Sequence, residues 1–316
     1  MSGGRVPDFF IVGQPKSGTT ALWEILSSHP QIFMSEEKEL WFFSPELASN
    51  APPRKPFALP RDLDHYRSQF AGAGTGQITG EASTTYLWSP SSARLIAAER
   101  PDAKIVAVLR EPASFIRSLH LQYVESNIET EPDLARALAL EDERRAGALP
   151  SGTYWPQLLL YSDHVRYAEQ LRRYFEVFPR EQVLVLIYEE LRADNAAGVR
   201  EVLGFLGVEQ DAELVDSKAN QSVVPRSMRA HRALEALTTG RGPAAASAKR
   251  AITAIVPRGA RARALETVRS RALYRAPQDA DAELMASLRR RWRGEVQAAG
   301  DLLERDLIKL WGYDES

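Results

Sequence analysis

Residues 9–20, FFIVGQPKSGTT, decide how the rest of the chain is read. Phe9 to Gly13 form a short apolar run of the kind that makes a buried strand, and the run ends in a loop containing glycine and proline. Residues 19–28 then repeat apolar side chains at helical spacing until His29-Pro30 stops the pattern. The unit is strand, loop, helix. In that setting, backbone N–H groups and the positive end of a helix can hold a phosphate.

Outward from this unit the same alternation continues. A second short strand is expected at 77–81, and Ser89-Pro90 reads as an N-cap followed by proline at the first position of a helix reaching about Arg100. Residues 104–109 (KIVAVL) and 183–188 (VLVLIY) are buried strands. Arg110-Glu111-Pro112 leads into a helix through about Asn127, and 195–206 has Val199, Val202, Leu203 and Leu206 at helical spacing. Helices are expected at 134–147 and 161–178, joined by a Pro/Gly-containing loop, and a long helical pattern covers 279–310. No internal repeat is evident. Strands alternating with helices predict an α/β fold, a P-loop-like and mainly parallel sheet with helices on both faces, in one domain spanning 1–316. Ligands in such folds bind beyond the carboxyl ends of the strands, which points to the loops after Gly13 and Leu109.

Composition narrows the chemistry. With no cysteine among 316 residues, disulfides, thiolate nucleophiles and Cys-ligated metals are impossible. The five histidines (29, 65, 120, 164, 231) show no metal-ligand spacing, so no metal is expected. A formal charge of −2 argues against a dedicated nucleic-acid binder. Residues 1–8 lack the layout of a signal peptide, and no apolar run approaches the roughly 18 residues of a membrane span, so a cytoplasmic location is expected. Charge is uneven: residues 226–275 hold twelve Lys or Arg against Glu235 and Glu266. That segment, rich in Ala, Gly and Pro over 238–264, is expected to be a lid over the acceptor side, with Pro225-Arg226-Ser227 adding charge near a nucleotide. Its apolar stretch 251–256 offers weak contact with an anionic membrane surface.

The loop Gly13-Gln14-Pro15-Lys16-Ser17-Gly18-Thr19-Thr20 has two glycines five apart, as in a Walker A loop, but its lysine stands inside the arch. A nucleotide triphosphatase has lysine after the second glycine, where this chain has Thr19. A lysine inside the arch sits beside a 5'-phosphate, near the oxygen bridging to a transferred group. The stretch 9–20 resembles the 5'-phosphosulfate loop of sulfotransferases that use 3'-phosphoadenosine 5'-phosphosulfate (PAPS). The resemblance implies that Lys16 contacts the bridging oxygen and that Ser17, Gly18, Thr19 and Thr20 supply donors to the 5'-phosphate. A second family signature is an arginine at a strand end with a serine eight residues on, here Arg110 and Ser118 in VAVLREPASFIRSLH. About two helical turns apart, they can converge on one anion, which in the family is the donor's 3'-phosphate. The likeness extends to VLVLIYEELRAD, FLGV and the closing DLLERDLIKLWGY. It is nearer to the glycosaminoglycan-modifying and bacterial branch than to the cytosolic phenol and steroid branch.

A base must remove the acceptor's proton. The cytosolic branch uses a histidine just after the second strand, and residues 80–85 (GEASTT) contain none. The stretch 36–43 (EEKELWFF) resembles the Glu-x-x-Phe-Phe pattern of the glycosaminoglycan branch, which makes Glu39 the general base, in a setting expected to be partly desolvated by Trp41 and the phenylalanines. Glu81 is the reserve. Some relatives carry a lysine directly after the second-strand glutamate, and here that position is Ala82. His29, His120 and His164 are expected to be structural or on the surface, and Tyr154, Trp155 and Tyr161 are weak candidates for the acceptor pocket.

These features imply transfer of a sulfuryl group from PAPS to a hydroxyl on a glycan, lipid or small molecule. The alternatives are a small-molecule kinase, which would need a lysine after the second glycine and an Asp-ended strand for magnesium, and a non-catalytic adenine-nucleotide binder.

Overall fold

In a computed structural model, residues 4–48, 59–150, 153, 155–212, 224–225, 274–275 and 281–314 are described. Five parallel strands form the main sheet: β1 (Phe9–Gly13), β2 (Ile32–Met34), β3 (Ile78–Ala82), β4 (Lys104–Leu109) and β5 (Val183–Ile187), in the order β2-β3-β1-β4-β5. The helices in chain order are α1 (Thr19–Ser27), α2 (Pro45–Ala48), α3 (Leu63–Ser68), α4 (Ser92–Glu99), α5 (Pro112–Glu125), α6 (Leu134–Ala139), α7 (Glu141–Arg145), α8 (Tyr161–His164), α9 (Tyr167–Phe175), α10 (Tyr188–Ala193), α11 (Asn195–Leu206), α12 (Ala282–Leu303) and α13 (Leu307–Leu310). The expected α/β sheet is therefore present. No helix among the described residues is long and apolar enough to cross a membrane.

β1 is buried along its whole length because both faces of the sheet are covered. Phe9 and Ile11 face a core with Leu22, Ile25 and Leu26 of α1 and Val199, Val202, Leu203 and Leu206 of α11. Phe10 points the other way, edge-on to Phe43 at 5.8 Å, in an aromatic layer with Tyr86 and Tyr66. On this side α9 packs against α4 and α12. α12 contributes Leu288, Trp292, Val296, Ala299 and Leu303, spaced by three or four residues and therefore on one stripe.

Contacts divide the chain into two compact units, Met1–Leu119 with Leu138–Asn220 and Asp281–Ser316, and His120–Ala137 with Gln221–Ala280. The first holds the five-stranded sheet. In the second, β6 (Val224–Pro225) pairs antiparallel with β7 (Tyr274–Arg275), and His120 Nε2 shares a 3.2 Å hydrogen bond with the Pro132 carbonyl.

Several boundaries differ from expectation for local reasons. Ser89 does accept hydrogen bonds from backbone N–H groups, but from Ser91 and Ser92 at 3.2 and 3.1 Å, so Pro90 precedes α4 instead of opening it. The 161–178 pattern breaks between α8 and α9, and the 134–147 pattern breaks at Leu140. The 279–310 pattern breaks where Glu304 takes a left-handed conformation with φ 54°. α5 begins at Pro112 because Glu111 closes its first turn: the carboxylate accepts from the N–H groups of Ala113 (3.0 Å) and Ser114 (2.7 Å) and from the Tyr313 hydroxyl (2.6 Å).

Candidate active site

β1 lies at the centre of the sheet, with the chain running from it to β2 and β3 on one side and later to β4 and β5 on the other. Order reverses between β1 and β4, so the crevice beyond their carboxyl ends is where such a sheet binds ligands. The loop after β1 and the residue after β4 meet there. Arg110 donates from Nη1 to the carbonyl oxygen of Lys16 at 2.6 Å. Its guanidinium lies 4.8 Å from the centre of the Tyr188 ring, and its buried Nε has no hydrogen-bond partner among the described residues. The Arg110 carbonyl in turn accepts from the Tyr167 hydroxyl at 2.8 Å, which fixes the strand end.

The loop itself is strained where the chemistry was expected. Lys16 has φ 61°, a left-handed conformation costly for a residue with a Cβ, and Gly18 has φ 80°. A non-glycine residue in this region persists only where its surroundings over-determine it, and such positions cluster at functional sites. Gly18 is the N-cap of α1 and offers no side chain, and the first turn of α1 contains no acidic residue. The end of α1 thus has no side-chain cap, whereas the equivalent end of α5 is closed by Glu111. Ser17 is buried, Thr19 and Thr20 open α1, and Ser118 is buried in the second turn of α5.

Glu39 is held at the edge of the same crevice. Its backbone N–H donates to the Ala82 carbonyl at 2.9 Å, which docks the segment after β2 onto the end of β3. The carboxylate accepts from Trp41 Nε1 at 2.9 Å and from the Thr84 hydroxyl and backbone N–H at 2.9 and 3.1 Å. Glu39 is half-buried beside Trp41, yet its direct partners are polar. Trp41 offers its N–H instead of its ring face, while Phe42 stacks on Tyr66 and Phe43 packs against Phe10. Glu39 (φ 60°) and Trp41 (φ 54°) are both left-handed, so the two expected catalytic residues, Lys16 and Glu39, share this unusual backbone.

Glu81 is fully buried at the end of β3, where it accepts from the Ser83 hydroxyl at 2.6 Å and from the Tyr66 hydroxyl. Burial pushes its carboxyl up to about 7, against the lowering effect of those hydrogen bonds. A carboxyl raised from its ordinary 4.5 keeps its proton in the folded chain over a range in which the unfolded chain has lost it. Stability contributed by Glu81 is therefore present below pH 4.5 and declines as pH rises to about 7. Glu81→Gln is expected to remove that slope, on the order of 3 kcal/mol at most across the window. Urea denaturation of both proteins across this range checks it, and an unchanged slope in the variant would assign the titration elsewhere.

His29 and His164 serve the fold. His29 accepts from Gln31 N–H at Nδ1 (3.1 Å), which leaves Nε2 to donate to the Glu209 carbonyl at 2.8 Å. Buried His164 stacks on Trp88, and burial pushes it down to about 4. Tyr161 is a core residue, Trp155 donates to the Leu47 carbonyl at 3.0 Å, and Tyr154 lies outside the described residues. So does the basic segment 226–275 apart from 274–275, including the expected lid. Sequence reading passed over Tyr167 and Tyr188, which flank Arg110, Thr84, which holds Glu39, and Lys38, whose Nζ donates to the Thr20 hydroxyl at 3.0 Å. Glu189, in the first turn of α10 after β5, accepts from the Glu111 N–H at 3.1 Å and from Trp311 Nε1 at 2.9 Å.

A model described as the sulfotransferase family matches residues 7–212, which carry Lys16, Lys38, Glu39, Glu81, Arg110 and Ser118. The chain belongs to the sulfotransferase family. Over 208 residues it is 31% identical to human heparan sulfate glucosamine 3-O-sulfotransferase 6, covering 65% of this chain and 54% of that protein. It is 30% identical over 107 residues to the membrane-associated sulfotransferase kil1 of Dictyostelium discoideum, covering 34% of this chain and 21% of that one. The chain spans about half the length of the first of these relatives. The crystal structure of a sulfotransferase from Alicyclobacillus acidocaldarius matches 97% of this chain and 98% of its own, with a TM-score of 0.67 and 28% identity.

Proposed function

We propose that this sulfotransferase moves a sulfuryl group from PAPS to a hydroxyl of a glycan-like acceptor. The single observation that carries the proposal is the meeting of Lys16, in its left-handed loop, with Arg110 at the β1/β4 crevice. The uncapped end of α1 suits the 5'-phosphate, with Ser17, Gly18, Thr19 and Thr20 as donors. Arg110, whose Nε has no partner among the described residues, and Ser118 suit the 3'-phosphate. The acceptor oxygen attacks sulfur, and the bond from sulfur to the bridging phosphate oxygen breaks. Lys16 meets the charge gathering on that phosphate, and Glu39 takes the acceptor's proton. Glu39 is assigned as base over Glu81 because Glu81 has no exposed surface from which to reach an acceptor. The glycan class follows from the 31% identical relative, whose name specifies heparan sulfate glucosamine.

The test is thermal stabilisation. The product nucleotide, 3'-phosphoadenosine 5'-phosphate (PAP), should raise the melting point more than ATP does, because only PAP carries a 3'-phosphate for Arg110. Incubating the chain with PAPS and a panel of glycans should then give products heavier by one sulfate. A larger effect of ATP would favour a kinase, and PAP binding with no transfer to any acceptor would favour a binding module. Arg110→Ala is expected to weaken PAP about ten- to a hundredfold, the worth of a lost charged hydrogen bond, and to leave AMP binding nearly unchanged. Equal losses for both nucleotides, measured by calorimetry, would confine Arg110 to holding the Lys16 carbonyl.

A further inference from the structure

Lys38 is a cation of this site that no motif singles out. It stands in an acidic run between Glu37 and Glu39, where a sequence reader expects a solvated turn. Its side chain instead turns inward to donate to Thr20 Oγ1 at 3.0 Å, in the first turn of α1. Burial lowers the pKa of its ammonium, against the opposite pull of Glu39 and Glu24. Keeping an ammonium partly out of water costs free energy, and placing it against a neutral hydroxyl recovers less of that cost than placing it against a carboxylate does. The position makes sense if an anion joins it.

We propose that Lys38 is a second cation of the anion cradle, directed through Thr20 at the 5'-phosphosulfate end of the donor while Arg110 serves the 3' end. The proposal rests on the sulfotransferase reading. Thr20 lies at the α1 terminus, where Gly18 provides no side-chain cap and the first turn no acid. An ammonium carries three donors, so bonding Thr20 leaves it able to reach an oxygen of the same anion. The helix end offers about half a positive charge, which with Lys16 falls short of the charge on a phosphate joined to a sulfate. The neighbouring residue also matters. The Glu39 backbone is pinned to Ala82, so the fixed backbone that presents the base also fixes where Lys38 starts. Lys38 and Glu39 thereby bring opposite charges to the seam where donor and acceptor meet.

The test uses the full chain and two nucleotides, PAP and adenosine 3'-monophosphate, which lacks the 5'-phosphate. Calorimetry should show Lys38→Met weakening PAP about ten- to a hundredfold, the worth of one charged hydrogen bond, with adenosine 3'-monophosphate unaffected. Lys38→Arg should restore most of the PAP affinity. It should also hold that affinity at alkaline pH, where the unaltered chain loses it as Lys38 deprotonates. A role confined to supporting the loop would weaken both nucleotides alike and give no alkaline limb specific to lysine, and either result overturns the proposal. Unchanged PAP affinity in Lys38→Met also overturns it, while leaving the sulfotransferase reading intact. An unaltered chain that binds neither nucleotide overturns that reading and the proposal with it.

Discussion

Lys16→Ala is expected to reduce turnover below detection while leaving PAP binding measurable. Sulfuryl transfer proceeds in line through a loose transition state, so the charge on the bridging oxygen is small in the bound donor and grows as the sulfur departs. An ammonium beside that oxygen is therefore worth most in the transition state, and its removal lowers kcat more than affinity. Loss of a single preorganised group of this kind costs roughly a hundred- to a thousandfold, and lysine brings a full charge as well. Ground-state binding survives because the α1 terminus and Arg110 remain. Alanine has a Cβ, as lysine does, so the left-handed backbone at φ 61° is no harder for the variant to adopt. The bond from Arg110 to the Lys16 carbonyl is also kept, because it involves only backbone at position 16. Single-turnover sulfate transfer and calorimetry with PAP, run on the same preparation, check both halves. Transfer within tenfold of the unaltered chain would remove Lys16 from the chemistry.

Some of this was legible in the sequence and some was not. β1, β4 and β5 could be read because a strand buried on both faces is a nearly continuous apolar run, and α11 because its four buried residues repeat at helical spacing. From those elements the crevice follows, since β1 and β4 adjoin and the loops after them carry Lys16 and Arg110. β2, with three residues, and α3, with six, are shorter than the window over which a period can be recognised. The surroundings of the acids were illegible for another reason. Glu39 is fixed by Thr84 and Glu81 is enclosed by Tyr66, contacts that exist only once β2 and β3 lie side by side. Lys38 was hidden by its neighbours, since a run of three glutamates and a lysine looks solvated until the fold carries the lysine to Thr20.

Glu39→Gln is expected to lower transfer by about two to four orders of magnitude, the range for loss of a general base, with PAP affinity little changed. The substitution suits this site because glutamine keeps the shape of the side chain and a carbonyl oxygen. It can still accept from the Thr84 hydroxyl and N–H, which bond Oε1 at 2.9 and 3.2 Å. The other position becomes an NH2 facing the Trp41 N–H, two donors opposed, so the indole is expected to turn away. Part of any loss could then come from a displaced Trp41, and Trp41→Phe supplies the control. It removes the indole N–H but leaves the carboxylate able to take a proton, so its effect should be much smaller. Glu81→Gln separates the two acids: enclosed by Tyr66 and Ser83, Glu81 has no route to an acceptor, and its loss should alter stability more than rate. Transfer rates of the three variants, measured with saturating PAPS, decide the assignment. A large loss in Glu81→Gln together with a small one in Glu39→Gln would move the base to Glu81, and would require the β3 end to open during turnover.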